Sequence, residues 1–479
     1  MSASQTVHTP TVSSDKIPAY STPLFPTPPG ITTTIQSRAA TPPRGLPIRS
    51  GQELTLKRAI EIALKYHPRV REAIDNTAAA HERIGEARSY LGPQLYGSGQ
   101  YLRSTYNGIG NTSYYDQQGL WPRMTGRNHD LPANNFAQNW VTGNNYMGGL
   151  ALSQFLFDFG RRQAFVSQRE FEAKAATARE QLTDLDLIFE VSQRYFRLLE
   201  AQKLIGVYQK AVEQRKFHLH EAEVKAKAGL RPELDVYVTR AELERSELHL
   251  VDARNAQLDA KVALDNALGL TDLAPRYVPS DVLTYSPVSQ PLAPLLENAF
   301  HLRPDLQMMK HEVRAMGAQI VEYRSDYFPT VNGVAGYAGM GTGLPMANNF
   351  NAGIVISWPI FNSFLTTHQL AESRFRRKAI ESAMDDLRQQ ITLQVKTAYL
   401  NWQASIDRIR RAQQALIASR GQMQLSDQRY TNGLTDIVEL EDAQRHYTED
   451  DAVYADALYR YSIAKAAVDQ ATGESLDSM

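Results

Sequence analysis

The chain repeats one long stretch of its own sequence, and this repeat limits what it can fold into. Residues 153–269 recur after a shift of 204 positions, as from Ser153 to Ser357. Upstream, a second register of 236 positions relates the two copies, as from Pro68 to Pro304. A repeat of this length predicts two copies of one large structural unit.

Each copy has the same order of signals: short helical patterns, two glycine-rich segments, and then roughly 110 residues of helical pattern that is broken once. The predicted repeats span 51–270 and 292–474, with a linker over 271–291. The predicted β-hairpins lie at about 94–158 and 330–361, and the predicted helical hairpins lie at about 160–269 and 364–473. The chain is therefore expected to carry short strand pairs on long helical hairpins.

Residues 1–50 are rich in Pro, Thr and Ser, which predicts an extended tail that forms no packed core. The first residues lack the basic and apolar regions of a signal peptide, so we expect that one was removed or that the natural start differs. The chain has no cysteine, which excludes thiolate metal sites and, in the chain as given, a lipid-modified amino terminus. With 51 basic and 52 acidic residues, it has no general attraction to nucleic acid.

The glycine-rich segments alternate in polarity with a period of two. Ile354, Ile356 and Trp358 share one face of such a segment, and Leu150 and Leu152 do so in the first copy. Small or polar residues occupy the other face. This pattern is typical of a lipid-facing barrel strand, although a half-buried strand of a soluble sheet has the same alternation.

Two strand segments in each copy give four in the chain, which is too few to close a barrel. Because open sheet edges are not tolerated in lipid, a membrane location requires an oligomer, and a trimer supplies twelve strands. The first hairpin also carries an insert at about 106–138, which is rich in Asn, Gly, Tyr and Gln and predicts a large exposed loop.

The helical segments carry a coiled-coil pattern. Apolar residues follow one another at steps of four and three, which predicts a heptad seam within a continuous helix from about Thr366 to Arg429. The seam comprises Ile380, Met384, Leu387, Ile391, Val395, Ala398, Trp402, Ser405 and Ile409.

Several motifs together identify a family. Segments 152–161 and 357–362 leave the second and fourth strands, and turns 228–236 and 430–444 break the helical patterns at equivalent places. This plan resembles the TolC family of trimeric outer-membrane efflux and secretion ducts. The resemblance implies an α+β membrane protein in which a trimeric 12-stranded β-barrel is continued by an α-helical barrel.

The family resemblance also implies location and partners. Three chains would cross the outer-membrane lipid of a Gram-negative bacterium and extend into the periplasm. A periplasmic adaptor (membrane fusion) protein and an inner-membrane pump of RND or ABC type would dock at the helical tips. The duct would be passive, without cofactor or enzymatic activity, and would belong to a tripartite efflux or type I secretion system.

The resemblance assigns roles to residues near the two turns. Glu439 and Asp442 match an acidic ring of the pore gate, and Asp235 and Tyr430 match residues that join the hairpins in the closed state. Thr435 replaces the arginine that the family has at the tip. The predicted adaptor-docking residues are Gly229, Leu230, Gly433 and Leu434.

Glu439 and Asp442 lie three positions apart, so one helix face carries both. In a trimer they would supply six carboxylates, which favour cations over anions. The alternative is an ordinary solvated helix face.

The other polar clusters predict no chemistry. His218 and His220 lie two positions apart on a helix, so they face different directions and are predicted to be surface residues rather than metal ligands. Lys225 and Lys227 are likewise predicted to be solvated. The alternative function for the whole chain is a soluble periplasmic coiled-coil adaptor or scaffold, which would not explain strands at matched places in both copies.

Overall fold

The computed structural model describes residues 53–105, 142–270, 277–286, 290–341 and 345–474. The predicted tail at 1–50 and insert at 106–138 lie outside these residues. The described residues form, in chain order, β1 (Glu53–Leu54), α1 (Leu56–Tyr66), α2 (Pro68–Ser89), β2 (Pro93–Thr105), β3 (Thr142–Phe157), α3 (Arg161–Lys227), α4 (Glu233–Ala267), β4 (Val278–Pro279), α5 (Leu292–Leu302), α6 (Pro304–Ser325), β5 (Thr330–Gly341), β6 (Ala347–Ser357), α7 (Leu365–Thr431) and α8 (Ile437–Thr472).

Helices α3 and α7 dominate both copies. Each has 67 residues, which corresponds to about 100 Å of axial length at ~1.5 Å per residue. Neither sequence contains proline, and each contains a single glycine, so nothing interrupts the helical hydrogen bonds. Among the described helices, none is both long enough and apolar enough to pass through a bilayer.

The predicted heptad seam of α7 is confirmed along most of its length. Ile391, Val395 and Ile409 are fully buried, and they belong to one apolar cluster with Leu458 and Tyr461 of α8. Alanines on both helices allow their backbones to approach closely. The two helices therefore form the coiled hairpin that the sequence predicts, and α3 and α4 form its counterpart.

The two copies are packed together through their helices. Helix α6 of the second copy lies against both α3 and α7, and α8 lies against both α3 and α4. The helical hairpin of each copy therefore contacts the other copy within one protomer.

The four long strands form one antiparallel sheet in the order β2-β3-β5-β6. Leu150 pairs with Tyr337, which in turn pairs with Phe350, so these side chains share one face, and all three are exposed. Small residues such as Gly149 and its partner Ala338 occupy the opposite face. The predicted alternation is confirmed in both copies.

Helix α1 begins at Leu56, directly after the short strand β1. Thr55 caps the helix by accepting a hydrogen bond from Arg58 N (3.3 Å), so the chain before it is free to extend. Leu54 then pairs in parallel with Pro279, inside the predicted linker. The buried Tyr195 hydroxyl of α3 contacts Leu54 O at 2.7 Å and holds this short sheet against the helices.

Candidate functional site at the tips of the helical hairpins

Two turns end the long helices, one at 228–232 and one at 432–436, and we call them together the tip. Gly229 has φ +69° and Gly433 has φ +74°, a left-handed conformation that favours glycine. Leu230 N donates to Lys225 O (2.9 Å), and Leu434 N donates to Arg429 O (2.8 Å). Both turns therefore have Schellman C-caps, which leave the two leucines 74% and 70% exposed.

The helices that follow the turns begin differently. Asp436 caps α8 by accepting a hydrogen bond from Glu439 N at 3.0 Å. Pro232 occupies the cap position of α4, and no side chain caps that helix. The proline ring fixes the φ of Pro232 at a value that suits the extended residue before a helix.

Tyr430, the penultimate residue of α7, lies at the centre of the contact between the hairpins. Its side chain is fully buried and packs with Ile437, Leu440 and Val238. Its hydroxyl donates to Asp235 Oδ2 of α4 at 3.4 Å. The structure thus brings together the two residues that the family resemblance pairs, within a single protomer.

Burial, together with the negative charge of Asp235, raises the pKa of Tyr430 to about 12. The phenol is therefore protonated, and able to donate, throughout the physiological pH range. Lys225 Nζ lies 5.0 Å from the centre of the Tyr430 ring, a cation–π distance. The prediction that Lys225 is a solvated surface residue is wrong, because its ammonium group lies over this ring and pairs with Glu221, which leaves the side chain 22% exposed.

Arg231 makes the most extensive contact across the tip. Its Nη2 donates to Tyr430 O (3.1 Å) and to Thr435 O (3.0 Å), and its guanidinium lies 4.8 Å from the centre of the Tyr430 ring. We call Arg231, Asp235, Tyr430 and Thr435 the tip clasp. Every contact of the clasp joins one helical hairpin to the other.

The internal repeat contains a signal for Arg231, a residue for which the sequence predicted no role. The register of 204 positions relates Arg231 to Thr435, the position at which the family has its arginine. The arginine that the second turn lacks is thus present at the equivalent place in the first turn, and its side chain reaches back to Thr435. Arg231 therefore provides a charged hydrogen-bond donor across the tip, although residue 435 is a threonine.

Glu439 and Asp442 lie on the first turns of α8, and each has an arginine partner. Glu439 Oε1 is 3.1 Å from Arg429 Nη1 and also accepts from Ser426 Oγ (3.4 Å). Asp442 pairs with Arg445 three residues further along the helix. Both carboxylates are partly exposed, so the pairs are screened by water.

His218 departs from the prediction of a surface residue. It is 5% exposed, and its Nε2 lies 3.8 Å from Asp427 Oδ1 of α7. Burial lowers its pKa, so the imidazole is neutral at pH 7. No group of three or more His, Asp or Glu side chains in the described residues is arranged to hold a metal ion.

The strand pairs, the long hairpins and the tip form a fold that is found in solved outer-membrane channels. The solved CmeC outer membrane channel of Campylobacter jejuni has this fold, with a TM-score of 0.72 and 17% identity over 87% of this chain and 85% of that chain. The sequence narrows the class further. The chain belongs to the outer membrane efflux protein family, whose sequence model matches residues 59–270 and 295–474.

Curated relatives agree with this assignment. The outer membrane protein TolC of Salmonella enteritidis is 24% identical over 425 residues, which cover 85% of this chain and 79% of that protein. The outer membrane protein OprJ of Pseudomonas aeruginosa is 25% identical over 379 residues, which cover 75% of this chain and 76% of that protein. The predicted family, outer-membrane location and channel class are confirmed, and the soluble adaptor or scaffold is disfavoured.

Proposed function

We propose that three copies of this chain form the passive exit duct of a tripartite efflux or type I secretion system. The duct crosses the outer membrane and is opened at its periplasmic tip by an adaptor and an inner-membrane pump of RND or ABC type. The observation that carries this proposal is the tip clasp, because it closes the end of a helical hairpin pair with contacts that a docking partner can replace. The chain itself supplies the conduit, and the pump supplies the energy.

The open edges of the sheet support the proposal of a trimer. Strands β2 and β6 lie at its two ends, so within the described residues each has one edge without a strand partner. Unpaired backbone groups are costly in lipid, and closing the sheet requires β6 of one copy to pair with β2 of the next. Three copies supply the twelve strands that suffice for closure.

The exposed face of the sheet supports contact with outer-membrane lipid. Leu95, Leu150, Ile354 and Ile356 are between 53% and 68% exposed in the protomer and lie on both outer and inner strands. An apolar face of this width would be costly in water, whereas lipid tails accommodate it.

The tip supports docking of an adaptor. Leu230 and Leu434 stand out from the two turns at equivalent places, each immediately after its cap glycine. An apolar side chain at a rigid turn can enter a groove of a partner at little entropic cost. Gly229, Leu230, Gly433 and Leu434 are accordingly proposed as the docking residues.

Native mass spectrometry of the detergent-extracted protein tests the assembly. We expect a trimer that resists dilution, because each copy offers two long strand edges. A monomer that stays in solution without detergent would contradict the duct and revive the scaffold.

Removing the two acidic residues of the gate is expected to change ion selectivity. In the variant Glu439→Ala with Asp442→Ala, Arg429 and Arg445 lose their partners, so six positive charges in a trimer are unopposed near the pore. The reversal potential in a salt gradient across a planar bilayer should shift toward anion preference.

A matched control changes the same number of charges elsewhere on α8. In the variant Glu449→Ala with Asp450→Ala, the substituted residues lie beyond the tip, so this variant should keep the ion selectivity of the unmodified channel. Equal reversal potentials for both double variants would contradict the assignment of Glu439 and Asp442 to the gate.

A further inference from the structure

A second contact between the two hairpins lies further from the turns and consists of buried charges. Arg215 Nε of α3 lies 3.3 Å from Glu441 Oε2 of α8, and Arg215 Nη2 lies 3.6 Å from Glu242 Oε2 of α4. Arg215 also donates to Ser246 Oγ. Arg215 and Glu441 are each 5% exposed. We call Arg215, Glu242 and Glu441 the buried charge cluster.

The cluster contains one buried cation and two carboxylates. Arg245 also pairs with Glu242, but its side chain is 67% exposed, so water screens its charge. When both glutamates are ionised, the cluster therefore carries excess negative charge away from solvent. Such a charge is unfavourable unless it is paired, and a single proton removes it.

The neighbours of Glu441 are suited to its protonated form. Within the described part of the chain, Glu441 Oε1 and both side-chain polar atoms of Gln444 are buried without a hydrogen-bond partner. Residues three apart on a helix are adjacent, so a protonated Glu441 can donate to Gln444 Oε1. Gln444 Nε2 can donate to a Glu441 oxygen in either protonation state, but only protonated Glu441 can also donate to Gln444 Oε1.

Burial raises the pKa of Glu441 to about 7. The positive charge of Arg215 lowers this pKa, but its effect is smaller than that of burial. The charges of Glu242 and Asp442 act in the same direction as burial. A glutamate exposed to water has a pKa of about 4.3. Separating the hairpins, which exposes Glu441, thus releases its proton near neutral pH.

Other ionisable side chains lie around the cluster on several helices. On α3, the pKa of His218 is lowered by burial, and its partners are Glu221 on the same helix and Asp427 on α7. On α8, Asp442 is exposed and paired with Arg445. Glu441 is the buried carboxylate of the cluster, and gain or loss of its proton near pH 7 changes the charge of the cluster.

We infer that the buried charge cluster is a proton-sensitive lock between the two helical hairpins: protonated Glu441 stabilises the closed tip, and ionised Glu441 favours its opening. The inference rests on the proposed channel function, to which it adds regulation by pH. The closed state binds the proton more tightly than the open state, so acid favours closure. This stabilisation is lost as the pH rises through about 7.

Planar-bilayer recordings at several pH values test the lock. Between pH 6 and pH 8, we expect the ratio of open to closed channels to rise by about tenfold per protomer. Glu441→Gln mimics the protonated side chain and should hold the channel at its acidic, closed level at every pH. Glu449→Gln, an exposed site on the same helix, should keep the profile of the unmodified channel.

Glu242→Gln distinguishes the proton-sensitive lock from a purely structural role of the buried charge cluster. It removes one of the charges that raise the pKa of Glu441, so the midpoint of the pH profile should move to lower pH. A profile that Glu441→Gln or Glu242→Gln leaves unchanged overturns the lock.

A distance measurement separates failure of the lock from failure of the channel. Because the chain has no cysteine, Lys227→Cys and Asn432→Cys provide unique attachment sites for spin labels on the two hairpins. The label separation should increase from pH 6 to pH 8, and Glu441→Gln should abolish the increase. Distances that are independent of pH overturn the lock, whereas a protein that conducts at no pH overturns the channel function.

Discussion

Replacing Arg231 with alanine is expected to open the tip and to raise the conductance of the reconstituted channel several-fold. The arginine donates to two backbone carbonyls of the opposite hairpin and covers the ring of Tyr430. Hydrogen bonds from a charged donor contribute about 1.5–3 kcal/mol each. Losing two of them shifts the equilibrium between closed and open channels by about 10²- to 10⁴-fold.

Adding Tyr430→Phe removes the remaining side-chain hydrogen bond of the tip clasp, the one to Asp235. The double variant should conduct more than Arg231→Ala alone, because both changes act on the same contact between hairpins. Planar-bilayer recordings of single channels give the measurement, and uptake of a bulky antibiotic by cells gives an independent readout.

Arg240→Ala is the matched control for the tip clasp. Arg240 pairs with Glu223 at 2.9 Å, and both residues belong to the first hairpin, so this pair does not join the two hairpins. The control should conduct like the unmodified channel. If Arg231→Ala and Arg240→Ala behaved alike, the tip clasp would not be what holds the closed state.

Replacing Gly149 with alanine is expected to disrupt the central strand pair of the sheet. A Cβ at this position would lie 2.4 Å from Tyr337 O and 2.7 Å from Ala338 Cα on the neighbouring strand. Neither backbone atom can move without breaking the β3–β5 hydrogen bonds. Overpacking of this kind costs about 1–3 kcal/mol, and lost hydrogen bonds add to it.

The adjacent residue provides the control. A Cβ on Gly148 would meet only Ser98 O, at an ordinary 3.6 Å, so Gly148→Ala should be tolerated. Detergent-extracted protein should show less trimer and a lower unfolding temperature for Gly149→Ala than for Gly148→Ala. Equal stability of the two variants would mean that β3 and β5 do not pack as closely as described.

The fold was largely predictable because its main signals are periodic and occur twice. The seam from Ile391 to Ile409 and the alternation from Ile354 to Trp358 each fix a helix or strand face without reference to the rest of the chain. The Leu54–Pro279 pairing was not predictable, since two residues are too few to show a period.

The clasp and the buried charge cluster were harder to predict, because their contacts join residues about 200 positions apart. Whether Arg215 faces water or Glu441 depends on how α3 is rotated against α8, and this rotation is set by packing along the whole helix. Charged residues in a coiled hairpin look solvated in sequence, so His218, Lys225 and Arg215 gave no sign of burial.

The length of α3 and α7 makes each of them a lever. A helix of about 100 Å that stays straight converts a tilt of about 3° at its strand end into a displacement of about 5 Å at the other end. Such a displacement exceeds the reach of the hydrogen bonds made by Arg231. Small angular changes where the strands meet the helices are therefore mechanically coupled to opening at the far end. Conversely, a force applied at the turns acts through the full length of the helix and exerts a large torque where the helix joins the sheet.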